Sequence, residues 1–159
     1  VIGAKTAELF AAACEIGPVI TGCDQHAKAM RDFGFNMGMA FQIADDVLDY
    51  QGDSKNLGKK TGDDFYDQKI TLPVILAYQQ SSDAEKTFWT NAFEGQSAKS
   101  DDFQTALSLI QKYKSCEESL KIAENFATDA LNALATVKSD SPIMAYLKDM
   151  PGFLITRNS

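Results

Sequence analysis

The stretch FQIADDVLDYQGD, residues 41–53, decides how this chain is read. It places four aspartates within nine residues of a segment that is otherwise apolar. Carboxylates at that density repel one another, and burying them is costly unless they are protonated or meet a cation. Extended upstream, the segment has helical periodicity. At about 100° per residue, Asp45, Gly38, Asp49, Gln42 and Asp46 fall in one sector of roughly 100°, with Gly34 at its edge. Met30, Phe33, Met37, Phe41, Ala44 and Leu48 make a broad apolar face, and Met39, Ile43 and Val47 cover much of the remainder. A helix apolar nearly all round is a buried, central one. The acidic sector is therefore expected to face a cavity or another helix, with Gly34 and Gly38 leaving room beside it.

Working outward, the chain reads as all-α. Ala, Leu, Lys, Gln and Glu dominate its long segments, and no run alternates with period two for long. A first helix is predicted over 2–16, stopped by Gly17-Pro18. The central helix follows over 24–50, with Asp24 as its N-cap. Residues 52–69 form a Gly- and Lys-rich loop. Thr71 then caps a helix that carries Pro73 in its first turn, where the missing N–H costs little. Shorter helices are predicted over 83–94 and 101–113. An amphipathic helix over 115–137 carries Leu120, Ala123, Ala127, Leu131 and Leu134 at helical spacing, and a last short helix follows Ser141-Pro142.

The chain has 159 residues, 45% hydrophobic and 23% charged, enough for one compact domain with a sizeable core. A net charge of −7 argues against nucleic acid and anionic membrane surfaces as partners. The single histidine, His26, argues against a His-based metal centre or a Ser-His-Asp triad. Cys14, Cys23 and Cys116 have no CxxC spacing and read as reduced thiols of a cytoplasmic protein. No apolar run approaches the ~20 residues that cross a bilayer, and no signal peptide is visible.

Hard oxygen donors without His or Cys suit Mg²⁺, which takes one or two carboxylates and completes its shell with water and phosphate oxygens. A solvated acidic helix end would account for the DDxxD of residues 45–49 taken alone. The lysines favour the metal. Lys55, Lys59, Lys60 and Lys69 follow in the loop, and Lys5-Thr6 lies on the preceding helix. Carboxylates for Mg²⁺ beside several lysines suit a polyanion such as a diphosphate.

These residues resemble the trans-type isoprenyl (polyprenyl) diphosphate synthases, most closely the octaprenyl and decaprenyl members. The matching stretches are KTAELFAAACEIG at 5–17, FQIADDVLDY at 41–50, LGKKTGDDFYDQKITLPVILA at 57–77 and FLITR at 153–157. FQxxDDxxD is similar to the family's second aspartate-rich motif. The resemblance implies an antiparallel helical bundle of the isoprenoid synthase type, here a partial bundle, and a homodimer. It implies a prenyltransferase that extends an allylic diphosphate with isopentenyl diphosphate to a long-chain polyprenyl diphosphate, for isoprenoid and quinone side-chain biosynthesis. Mg²⁺ would be held by Asp45, Asp46 and Asp49, and diphosphate oxygens by Lys5, Lys59 and Lys69. Thr6 and Gln42 would turn neutral oxygen dipoles toward the allylic cation.

Two departures matter. DDFYD at 63–67 also spells DDxxD, but it follows the second motif too closely to be the first. Asp64 is instead expected to order the loop or a water near the metals. Where the family has Gly before the lysine of GKxTLP, this chain has Gln68. The first aspartate-rich motif and the isopentenyl-binding Arg, Lys and His residues have no match here. Residues 1–159 are therefore expected to be the C-terminal half of a synthase domain, inactive alone, with product length set elsewhere. Two other readings compete: a terpene cyclase-like enzyme, and a non-catalytic helical subunit of a heteromeric synthase. The spacing of FQxxDDxxD to GKxxGDD disfavours the first, and retention of all three aspartates disfavours the second.

Overall fold

The computed structural model describes residues 2–51, 61–94 and 100–156, and among them only helices, turns and short connections occur. The fold is all-α, as the periodicity requires. A π-helical turn, Gly3–Ala7, runs directly into α1, Glu8–Ile20. The predicted stop at Gly17-Pro18 does not occur, because Pro18 lies inside this helix. Pro18 removes one backbone donor close to the helix end, where few bonds remain to be lost. The true terminator is Gly22, at φ +69. Its N–H bonds to the Val19 carbonyl at 3.3 Å, and that of Cys23 bonds to the Pro18 carbonyl at 2.9 Å. This is the paired bonding of a Schellman motif, which a left-handed residue makes possible.

A short 3₁₀ turn, Asp24–His26, leads into α2, Ala27–Gln51. The remaining helices are α3, Asp63–Tyr66, α4, Leu72–Gln80, α5, Asp83–Glu94, α6, Ser100–Lys112, α7, Ser115–Ala135, and α8, Ile143–Thr156. Helix α3 falls where the sequence suggested only loop. The chain divides into two compact units, Val1–Ala44 with Lys121–Ser159, and Asp45–Leu120. Their boundaries fall inside α2 and α7 rather than at linkers, so composition carries no trace of them.

The first unit has its core at Phe33, Met37, Ala130 and Leu134, with Phe10, Cys14, Met30, Met144, Leu147 and Leu154 packed on it. Glycines bring α1 and α2 into backbone contact. A Cβ on Gly34 would stand 2.3 Å from the Phe10 carbonyl oxygen, and one on Gly38 would stand 2.6 Å from the Ala7 Cα. The Phe10 and Phe41 rings stack beside this contact at 5.6 Å. Arg31 ties the same helices together by bridging Glu8 and Glu15 of α1.

The second unit is built on Val47, Tyr50, Phe65, Val74, Ala77, Trp89, Phe103 and Ile110. Trp89 is core, and its indole N–H donates to the Ser81 hydroxyl at 3.2 Å. Phe65 anchors the short α3 by meeting Phe93 edge-on at 5.4 Å and Phe103 at 5.6 Å. The Cys116 thiol is buried, and desolvation pushes it up to about 12.

Candidate functional site

In the first unit, the residues assigned to the cation come together. Thr6 Oγ1 donates to Gln42 Oε1 at 2.8 Å, across 36 residues of sequence. The contact depends on Gly38. One turn before Gln42, its missing side chain lets α2 approach the turn that carries Lys5, Thr6 and Ala7. With its proton committed to Gln42, the Thr6 oxygen turns lone pairs elsewhere. Both side chains are half-buried, whereas Lys5 is exposed.

The three aspartates of α2 have different surroundings. Asp46 is buried, with 5% of its surface exposed. Asp49 is half-buried and Asp45 is exposed. Asp45, about 100° from Asp46 around the helix, lies at the solvent-open edge of the acidic sector in this chain. Among the described residues, no group of three His, Cys, Asp or Glu side chains closes on a point as a ready metal site. The donor set remains that of a hard cation: carboxylates at i, i+1 and i+4, one of them buried, with no nitrogen or sulfur ligand in the motif. Such a set suits Mg²⁺, which needs few protein ligands.

Asp49 is tied by three hydrogen bonds to the start of α3 within the second unit. Its carboxylate accepts the N–H of Asp63 at 3.1 Å and of Asp64 at 3.0 Å, and its carbonyl accepts that of Gly62 at 3.0 Å. Burial raises its carboxyl above the ordinary carboxylate range. The Asp64 N–H opposes that rise, and the Asp64 and Asp63 charges reinforce it. Gly62 is required here twice over. It sits at φ +93, and a Cβ would stand 2.5 Å from the Phe103 ring.

Lys69 is half-exposed and bridges Asp64 at 2.9 Å and Asp67 at 3.0 Å. The hydrogen bond to Asp64, then that to Asp67, raises its ammonium above the usual lysine range. Gln68 adopts φ +56, the left-handed conformation that favours glycine. Lys59, with Lys55 and Lys60, lies outside the described residues. Thr71 stands at the N-cap of α4 as predicted, but its hydroxyl makes no cap bond. It donates to the Tyr50 hydroxyl at 3.3 Å. Tyr50 was missed by sequence reasoning. Burial raises its phenol, and the charges of Asp49, Asp64 and Asp46 add to the rise. Its only sequence signal is an aromatic residue immediately after the acidic motif.

A family model described as polyprenyl synthetase matches residues 1–110. The geranylgeranyl diphosphate synthase of Sulfolobus acidocaldarius is 37% identical over 159 residues, covering 98% of this chain and 48% of that protein. The crystal structure of a decaprenyl diphosphate synthase from Rhodobacter capsulatus superposes with a TM-score of 0.89 at 38% identity, over 99% of this chain and 49% of that one. A polyprenyl synthase from Caulobacter crescentus, complexed with calcium and isoprenyl diphosphate, gives 0.89 at 41% identity, over 99% and 48%. The chain thus spans about half the length of the curated relatives it matches.

Proposed function

This chain belongs to the polyprenyl synthetase family, and we propose that it supplies the C-terminal, diphosphate-binding half of a prenyltransferase. The reaction joins an allylic diphosphate to isopentenyl diphosphate. The carbon–oxygen bond to the allylic diphosphate breaks heterolytically, and the leaving group keeps the electron pair. The isopentenyl double bond attacks the resulting cation, and loss of a proton restores an alkene. The observation that carries this reading is α2 itself, which places Gln42, Asp45, Asp46 and Asp49 within about two turns in a chain of this family.

Asp45, Asp46 and Asp49 are the residues to hold Mg²⁺. When bound, the metal neutralises charge that gathers on the departing diphosphate. Lys5, Lys59 and Lys69 bind diphosphate oxygens by charge-assisted hydrogen bonds. Thr6 and Gln42 present neutral oxygens, which stabilise a carbocation without capturing it as a carboxylate would. A long-chain product for quinone side chains, a homodimer and a cytoplasmic location belong to the same proposal. No described helix is long and apolar enough to cross a membrane.

The test is elongation of an allylic diphosphate by the complete synthase carrying this chain. Product is expected only with isopentenyl diphosphate and a divalent cation both present. Inorganic diphosphate and Mg²⁺ should bind cooperatively in calorimetry, and Asp45→Ala should weaken that binding by more than about tenfold. Equal diphosphate affinity with and without Mg²⁺ would overturn the assignment.

A further inference from the structure

The geometry points to Asp49 as a positioning residue that sets the place of Lys69 through Asp64, an inference resting on the diphosphate-binding reading above. Asp49 receives three consecutive N–H groups. Gly62 donates to its carbonyl at 3.0 Å, and Asp63 and Asp64 donate to its carboxylate at 3.1 and 3.0 Å. The last turn of α2 thereby clasps the start of α3. The clasp continues at its far end. The Asp64 carbonyl accepts the Lys69 N–H at 2.8 Å, and the Asp64 carboxylate accepts from Lys69 Nζ at 2.9 Å. An unbroken series of polar contacts therefore runs from the metal motif to a diphosphate-binding lysine.

This linkage has a chemical purpose. A lysine on a free four-carbon stem loses considerable rotamer freedom when it grips a phosphate oxygen. Asp64 and Asp67 have already drawn the Lys69 ammonium into place. Of the three ammonium protons, two are directed at these carboxylates, which leaves one for a phosphate oxygen. The arrangement also separates two roles for Asp49. A clasp needs acceptor oxygens for backbone N–H groups, which asparagine partly supplies, whereas a metal ligand needs the negative charge.

The experiment is a double-mutant cycle on the complete synthase, read by calorimetry with inorganic diphosphate at saturating Mg²⁺. Asp49→Ala is expected to weaken diphosphate binding about tenfold, and to add no more than about threefold on top of Lys69→Ala. Amide hydrogen exchange at residues 63 and 64 should accelerate in Asp49→Ala, and Asp49→Asn should recover most of the lost affinity. Losses that multiply in the double variant would overturn the proposal, as would unchanged exchange at those amides. An equal loss of diphosphate affinity in Asp49→Asn and Asp49→Ala would do the same, by tracing the whole effect to the negative charge toward the metal rather than to the clasp. Should Asp49→Ala fail to fold, Asp64→Ala keeps the backbone N–H of the clasp and removes the side-chain link to Lys69. Paired with Lys69→Ala, it must show the same non-additivity or the proposal falls. A wild-type enzyme that binds no diphosphate with Mg²⁺ would overturn the underlying functional reading instead.

Discussion

Thr6 and Gln42 are joined by a 2.8 Å hydrogen bond in which the threonine hydroxyl donates and the glutamine carbonyl accepts. The bond fixes which end of the Gln42 amide Thr6 meets, and it leaves two oxygens as neutral acceptors at one place. A leucine at position 42 or a valine at position 6 keeps the shape and removes a dipole.

Gln42→Leu and Thr6→Val are therefore expected to lower kcat of the complete synthase by on the order of tenfold to a hundredfold, with smaller changes in KM. Thr6→Ser, which keeps the donor, should recover most of the activity. Steady-state kinetics with an allylic diphosphate checks this, and an unchanged kcat in Gln42→Leu would remove that residue from the mechanism. A part-buried hydrogen bond of this kind is worth about 1 kcal/mol in stability, so the variants should still fold.

The close approach that permits this bond makes a second expectation. Gly34→Ala and Gly38→Ala push a methyl group into backbone atoms 2.3 and 2.6 Å away. Alanine gains about 1 kcal/mol over glycine in helix propensity, but overpacking against backbone costs about 1–3 kcal/mol. Both variants should melt below the wild type. Gly17→Ala is the control, because no described atom lies within 4 Å of its added methyl. It should be neutral or stabilising. Equal melting of all three would mean that α1 and α2 do not meet as closely as described.

At position 68 the backbone favours a residue the chain does not have. Gln68 sits at φ +56 immediately before Lys69. The left-handed region costs a non-glycine residue about 1–2 kcal/mol, and the greater freedom of glycine in the unfolded chain returns part of that. Gln68→Gly should raise stability by a net ~0.5–1 kcal/mol. Denaturant unfolding measures it, and a loss of stability would show that the Gln68 side chain matters more than its backbone.

Acid should destabilise the second unit through Glu85. Lys112, then the Ser82 N–H and hydroxyl and the Tyr113 hydroxyl, hold this carboxylate at about 2, below the ordinary 4.5. Because the folded value lies below the unfolded one, the stabilisation is fully present above about pH 4.5 and is lost as pH falls toward 2. Glu85→Gln should lower the melting temperature near neutral pH and flatten its decline between those values. A wild-type-like acid decline in the variant would assign the acid sensitivity to other carboxylates.

Local patterning determined much of this protein. The 3.6-residue repeat in 30–48 marked α2, and the amphipathic run after residue 115 marked α7, because a helix is specified by contacts three and four residues apart. The same periodicity put Asp45, Asp46, Asp49 and Gln42 in one sector, and the aspartate-lysine chemistry pointed to a metal and a diphosphate. Tertiary structure decided what depends on distant partners. Helix α1 passes Gly17-Pro18 because the Schellman bonds around Gly22 supply its ending. Thr71 bonds Tyr50 rather than its own helix, and Asp49 caps a short helix that begins 14 residues later. Asp46 is buried while the adjacent Asp45 is exposed, although both share one motif. Burial and hydrogen-bond pairing follow from which backbones come close, and here that is set by the absence of a side chain at Gly34, Gly38 and Gly62. A helical repeat records the face a residue occupies, whereas the atoms that meet that face are chosen by packing in three dimensions.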